Sequence, residues 1–590
     1  MMIPPRPTLR RRATRINRGA RPERVEVRFR MKLRVSHLAA VLILLGLALG
    51  VTSCGKRSTR VAHGNKEQIF HLGNYAEPAD LDPQIVIGDS ESHILKALFE
   101  GLVIAGPKDL RPLPGVAERW EVSADGRVYT FFLRANAVWS DGEPVVADDF
   151  VKSYERILNP KLAAQNADML FVLKGGEDYY AGRLQDFSKV GVKALDPKRL
   201  QINLRTPVPY FLALLNHHSW SPVPVKIVDQ HGNRYDKGNR WTRPENLVSN
   251  GPFRLKDWKT QQEVVVQKND KYWDAKQVRL REIHFYPIES RDTEDRAFRA
   301  GQLHATYEIT ASKFDAYKAS AGSSLRVDPY YGVYYLRVNI DPAKQTNPAL
   351  KDVRVRRALS MAIDRESLVR NITRAGERPA FSFVPPGPAG YEPREKLTFD
   401  PEEARRLLAE AGYPGGKGMP RVTLLLNTDE LHKSITEALQ QMWKKELGIE
   451  VEIINQEWKV YLATENNLDY QVARAGYTAD YGDPNSFFDA MRTLSGNNNT
   501  GFASPEYDRF LTESLSAPNP AARVELLQQA EAVLLREVPV IPLYFYARTY
   551  LLQPSVKGWD ANLIDHHPWK YVYLDESGIP EKLPTLGTAP

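Results

Sequence analysis

One cysteine in 590 residues excludes a disulfide framework and every zinc site built on several thiolates. The 12 histidines are dispersed, and the neighbours His217-His218 and His566-His567 lack the i, i+4 spacing that sets two imidazoles on one helix face. Neither a metal nor a cofactor is therefore expected. Long apolar runs are missing as well: Leu38 to Val51 spans 14 residues, short of the ~20 that a bilayer crossing needs. No period of 20 to 50 residues recurs, which argues against solenoids and propellers. Gly-x-Ser-x-Gly and His-Glu-x-x-His do not occur, and Ser-x-x-Lys occurs only as Ser53-Cys54-Gly55-Lys56 at the end of the leader, so an exported hydrolase has no signature in the body of the chain. Charge of one sign is confined to the start of the chain. Residues 1–53 hold twelve Lys+Arg against two Glu, and the remainder carries 68 basic and 70 acidic residues. The net charge of +8 thus makes no case for nucleic acid.

What is present is a globular composition, 42% hydrophobic and 26% charged, long enough for two to four domains of roughly 150 residues. Met31-Lys32-Leu33-Arg34 followed by the apolar stretch reads as a secretory signal, with Met31 as the initiator. It ends in Val51-Thr52-Ser53-Cys54, which resembles the bacterial lipobox and predicts a lipid anchor on Cys54. An ordinary signal peptide with a chance cysteine is the alternative. Residues 1–53 are read as leader and 54–66 as a polar tether.

Beyond the tether, Asp400-Pro401-Glu402-Glu403 signals a capped helix start, and Asn519-Pro520 another. Residues 422–426 and 449–454, separated by a helical pattern from about Leu431 to Leu447, predict a right-handed βαβ unit. Its first loop, Asn427 to Glu430, falls where open α/β sheets bind ligands, with His432 in the first helical turn.

Several stretches together resemble one family. They are Glu77-Pro78-Ala79-Asp80-Leu81-Asp82-Pro83, Leu98-Phe99-Glu100-Gly101-Leu102, Pro114 to Trp120, Trp139 to Pro144, Asn250-Gly251-Pro252-Phe253, Asp352 to Leu359, Asn455 to Lys459 and, most specifically, Val472 to Pro484. The chain, over residues 73–554, resembles the extracytoplasmic oligopeptide-binding proteins of bacterial ABC importers, solute-binding protein family 5. The resemblance implies an α/β, two-lobed periplasmic binding protein of class II type with an extra inserted domain. Lobe I would hold residues 67–99, 225–331 and 547–590, the inserted domain 100–224, and lobe II 332–546. It also implies a monomeric binding protein without catalysis, placed in the cell envelope, with short peptides and an ABC permease as partners. A cell-wall peptide, a metal chelate or a sensory role are the alternatives.

A free peptide has an ammonium, a carboxylate and a regular backbone, and a tolerant receptor holds these constant features. By resemblance Asp480 meets the ammonium, while Arg474 and His432 meet the carboxylate. Tyr307, Tyr335, Trp458, Tyr477, Gly476 and Tyr546 fall at pocket or backbone-contact positions. The small residues around Arg474 suit addition of the peptide as a strand. Against these stand an Asx-turn aspartate, a structural ion pair for Arg474, a capping or solvated histidine, and plain core packing of the aromatics. Departures from the family pattern are Glu465 for a basic residue, Asn166 for a tyrosine, Ile87 for an acid, Glu308 for an asparagine, and Gly332 with Thr478 for two cysteines. Glu465 is expected to repel a ligand carboxylate, and the ~20 Å reach from Arg474 to Asp480 suggests ligands of roughly three to five residues.

Overall fold

The computed structural model describes residues 58–320, 324–493 and 495–577. The leader, Met31 and Cys54 lie outside the described residues. Part of the expected tether is ordered: Arg60–Glu67 forms a helix, α1, whose Thr59 cap accepts from the Ala62 N–H. Asn65 on α1 meets His304 Nε2 at 3.1 Å, so this segment packs on the body instead of leading away from it. Polar composition alone does not separate a tether from a short surface helix. Among the described residues no helix is long and apolar enough to cross a membrane.

Among the described residues, three sheets have four or more strands. In the first, β1 (Ile69–Gly73) lies parallel beside a strand at Glu282–Tyr286, and the strands at Glu263–Lys268 and Phe253–Lys259 complete it. Helix α2 (Asp89–Leu98) follows β1 in the chain. The second sheet is antiparallel, with all four strands drawn from Ala117–Val122, Val128–Leu133, Val192–Asp196 and Arg199–Asn203. Val128–Leu133 alternates half-buried and buried residues, the period-two pattern of a strand with one face on a core.

The third sheet, of six strands, carries the site. Its long members, β2 (Leu325–Val338) and, at the far end of the chain, Val540–Leu551, pair antiparallel from Leu325↔Leu551 to Arg337↔Val540. The register breaks between Pro329 and Val333 and again between Tyr334 and Tyr335, and such irregularities bend and twist a strand. The expected βαβ unit follows: β3 (Val422–Asn427), α3 (Glu430–Leu447) and β4 (Val451–Gln456), with Val422↔Val451 parallel. The next strand, β5 (Val472–Thr478), lies between β2 and β3, and the long strand at Val540–Leu551 is β6.

Residues on β2 sort by the pleat. Tyr334, Leu336 and Val338 enter one core with Leu424 and Trp443, whereas Val333 and Tyr335 enter another with Phe383 and Phe487. Both faces of this sheet are therefore covered. The helix starts are as read: Asp400 accepts from Glu403 N–H at 3.0 Å and Asn519 from Ala522 N–H at 2.9 Å. The reciprocal half of the Asp400 box is not used, because the Asp400 N–H donates to Met361 O while Glu403 pairs with Arg406.

Candidate functional site

The site is built on β5. On one side β5 pairs with β2 along its length, from Val338↔Val472 to Gly332↔Thr478. On the other side it pairs with β3 only at Leu424↔Val472 and Leu425↔Ala473. From Arg474 to Thr478 no strand among the described residues lies beside that second edge, although strand edges seek a partner. The register also places Gly332 opposite Thr478, the two positions that the resemblance gives to cysteines.

Asp480 follows the open edge at its carboxyl end and lines a cavity with Asp89, Lys96 and Tyr330. The Tyr477 hydroxyl donates to Asp480 Oδ2 at 3.0 Å, and the Asp480 N–H donates to Ser486 Oγ at 3.1 Å. The carboxylate stands open to the cavity, yet the protein around it displaces most of the water that would solvate a charge. Burial, with Asp168 and Asp89 adding like charge, pushes its pKa up to about 6, although the Tyr477 hydrogen bond favours the ionised form. It makes no ion pair among the described residues, so a cation is the group it lacks.

Arg474 stands at the other end of the edge. Its Nη2 donates to Asn427 Oδ1, and its guanidinium lies 5.7 Å from the Trp458 ring centroid and 5.3 Å from that of Tyr461. Its Nε is buried without a partner, and it has no ion pair among the described residues. The structural ion pair considered for it is therefore not formed, and the guanidinium keeps a donor to spare. His432 lies in the first turn of α3, but the cap is Asp429, whose Oδ1 accepts from the N–H of Leu431 and of His432. His432 Nδ1 is 3.3 Å from the Tyr334 hydroxyl. Burial, then Arg474, lowers its pKa to about 4 against the pull of Asp429. Near neutral pH it therefore offers a polar imidazole and no charge.

The aromatics divide. Trp458 is 49% exposed and stacks on Tyr461. Tyr477 holds Asp480. Tyr546 lies against the backbone of Gly476, where a Cβ would come 2.3 Å from the Tyr546 hydroxyl, so only glycine lets that ring approach the strand. Tyr307 stacks on Tyr75 and donates to Asp89 Oδ2 at 3.2 Å. Tyr335 is a correction: it is 1% exposed, lies edge-on to Phe383, and its hydroxyl accepts from Arg337 Nε, which makes it core beneath the site and no contact surface. Glu465 is a second correction. It is 6% exposed and paired with Arg337, so its charge is met from within and does not face a ligand. Ile87 is exposed, and Asn166 donates to Val86 O.

Sequence reasoning missed Tyr334, Tyr461 and Arg337 and named Asn427 only as part of the loop after β3, yet all four hold the named residues in place. Tyr334 carried a signal, since it alternates with Tyr335 on a strand whose two faces differ. The Arg337–Glu465 pair joins residues 128 apart and carried none.

Residues 111–499 match the family described as bacterial extracellular solute-binding proteins, family 5 Middle. The periplasmic oligopeptide-binding protein OppA of Salmonella typhimurium is 36% identical over 533 residues, 89% of this chain and 95% of its own. The dipeptide-binding protein DppE of Bacillus subtilis is 33% identical over 563 residues, 92% of this chain and 98% of its own. Among solved structures, Haemophilus influenzae OppA in complex with RPPGFSPFR has a TM-score of 0.73 at 31% identity, covering 86% of this chain and 99% of that one. A match of this extent, with an open strand edge flanked by a carboxylate and a guanidinium, places the chain in a family: it belongs to the bacterial extracellular solute-binding proteins, family 5.

Proposed function

We propose that this protein is an extracytoplasmic receptor that captures short peptides and presents them to an ABC-type importer. The observation that carries the reading is the open edge of β5. A peptide added there pairs its main chain with residues 474–478 while its ammonium reaches Asp480 and its carboxylate reaches Arg474 and His432. Side chains then project alternately into the surroundings, so the receptor reads termini and backbone more than sequence. Relatives named for oligopeptides and dipeptides support the ligand class. Titration calorimetry with tripeptides tests it, and absence of binding to any of them overturns it.

The same proposal keeps the lobe boundaries read from the sequence, and the strand membership of the sheets supports them. Each four-stranded sheet draws its strands from one side of the proposed boundaries, and only β2 and β6 run across them. Anchoring through Cys54 belongs to the same proposal, and an intact mass with an unmodified cysteine in native material removes it.

Two properties follow from the site. Affinity is expected to rise about tenfold per pH unit up to about pH 6 and to level off above it, because Asp480 must lose its proton before it can hold an ammonium. His432, with its pKa lowered to about 4, is neutral from pH 5 to 7 and adds no opposing slope there. A profile that falls from pH 5 to 7 would point instead to an imidazolium on the carboxylate. Length is expected to matter too: an extended ligand moves its carboxylate ~3.4 Å per residue, and Arg474 and His432 are fixed. A series of alanine peptides from two to six residues should show one favoured length between three and five. Glu465→Arg should not widen that range, given its pairing with Arg337.

A further inference from the structure

The cavity beside Asp480 has a volume of about 220 Å³, several times the ~30 Å³ share of one water in the liquid. One wall is α2, where Asp89, Ser92 and Lys96 stand at i, i+3 and i+7 on a single helical face. Another is the end of β5 with Ala479 and Asp480. One space therefore holds a carboxylate at the strand end and an ammonium on the helix.

Lys96 has no hydrogen bond and no ion pair among the described residues. Burial lowers the pKa of Lys96, and the carboxylates that counter this, Asp565 and Asp89, are committed elsewhere. Asp565 is held by Arg548 and His567, each at 2.8 Å, and Asp89 accepts from the Tyr307 hydroxyl. Glu100, also on the cavity wall, is bonded to the Tyr272 hydroxyl and to Trp273 Nε1. His217, His218, His566 and Lys570 also line this end; burial lowers the pKa of each histidine, and the Lys570 ammonium is held by Asp274 at 3.0 Å, so none of them answers Lys96 with a negative charge. His566 Nδ1 is buried and unpartnered. Among the described residues no three metal-ligating groups converge. An apolar or cationic group here leaves the ammonium uncompensated, whereas a carboxylate satisfies it.

The Cα of a peptide's first residue is one bond from its ammonium, so with the ammonium at Asp480 the first side chain starts at this cavity. We infer that the cavity receives the side chain of the first residue and that Lys96 makes it favour an acidic one, glutamate or aspartate. The inference rests on the assignment of Asp480 to the peptide ammonium.

The test is titration calorimetry of glutamyl-, glutaminyl- and alanyl-alanyl-alanine against the wild type, Lys96→Gln and Lys96→Arg. The wild type should bind the glutamyl peptide at least about tenfold more tightly than the glutaminyl one, a difference that calorimetry resolves easily. Lys96→Gln should bring that ratio to within about twofold, and Lys96→Arg should keep the preference. Binding of trialanine with equal affinity for the glutamyl and glutaminyl peptides overturns this inference alone, as does a preference that survives Lys96→Gln. Failure of all three peptides on the wild type overturns the peptide reading and this inference together. If Lys96→Gln does not fold, the wild-type ratio and its retention in Lys96→Arg decide.

Discussion

Asp480→Ala is expected to weaken peptide binding by roughly two to three and a half decades, the equivalent of the ~3–5 kcal/mol lost when one member of a buried ion pair is removed. The loss comes from a ligand ammonium left in a closed site without its partner. N-acetylation of the peptide deletes the same interaction from the other side, so the two changes together should cost little more than either alone. Calorimetry on the four combinations measures the coupling, and additive losses would move Asp480 out of the site. The fold should tolerate the change, because the Tyr477 hydroxyl keeps Ser486 Oγ at 3.3 Å as a partner. Asp168 and Asp89 remain nearby and retain part of the attraction, which favours the lower end of the range.

The second large effect concerns stability. Arg337 and Glu465 form an ion pair in the core under the carboxylate end, with side chains 9% and 7% exposed. Glu465→Ala strands a buried guanidinium and is expected to cost about 3–5 kcal/mol in urea unfolding. Arg337 keeps only the Tyr335 hydroxyl at 3.2 Å and a distant Asn497 carbonyl at 3.4 Å. Glu465→Arg should be worse, since it sets two cations together. Glu465→Leu combined with Arg337→Met should recover most of the loss, because apolar replacement of both members of a buried pair is often neutral. A loss under about 0.5 kcal/mol for Glu465→Ala would mean that water reaches the pair.

How far the sequence reads depends on the range of the interaction. The helix starts at Asp400 and Asn519 and the βαβ unit at Val422–Gln456 are legible because a cap, a proline and an apolar period act within a few residues. Asp480 and Arg474 are legible through resemblance, and the open edge that gives them meaning is not, since it depends on β3 leaving β5 after Ala473. The charge on Glu465 is legible but its compensation is not. Tyr335 was misjudged for a related reason: an aromatic on an alternating strand announces one face or the other, and only packing decides which face is core. Lys96 passed unnoticed because one lysine on an amphipathic helix ordinarily faces solvent.

One contact near the ends of the described chain bears on how the receptor carries load. Gln68, just after α1, donates through Nε2 to Leu574 O at 2.7 Å and accepts from Leu574 N–H through Oε1 at 3.1 Å, and Asn65 bonds Glu576 at 2.9 Å. A pull applied at Arg60 is thus borne as shear of these bonds and of the parallel strand beside β1. The path continues beyond β1, because Leu72 is bridged to Ala305 and the Thr306 N–H donates to Leu551 O, at the end of β6, at 3.0 Å. Drag on the protein from its amino-terminal side should therefore reach the end of β6 through these backbone bonds.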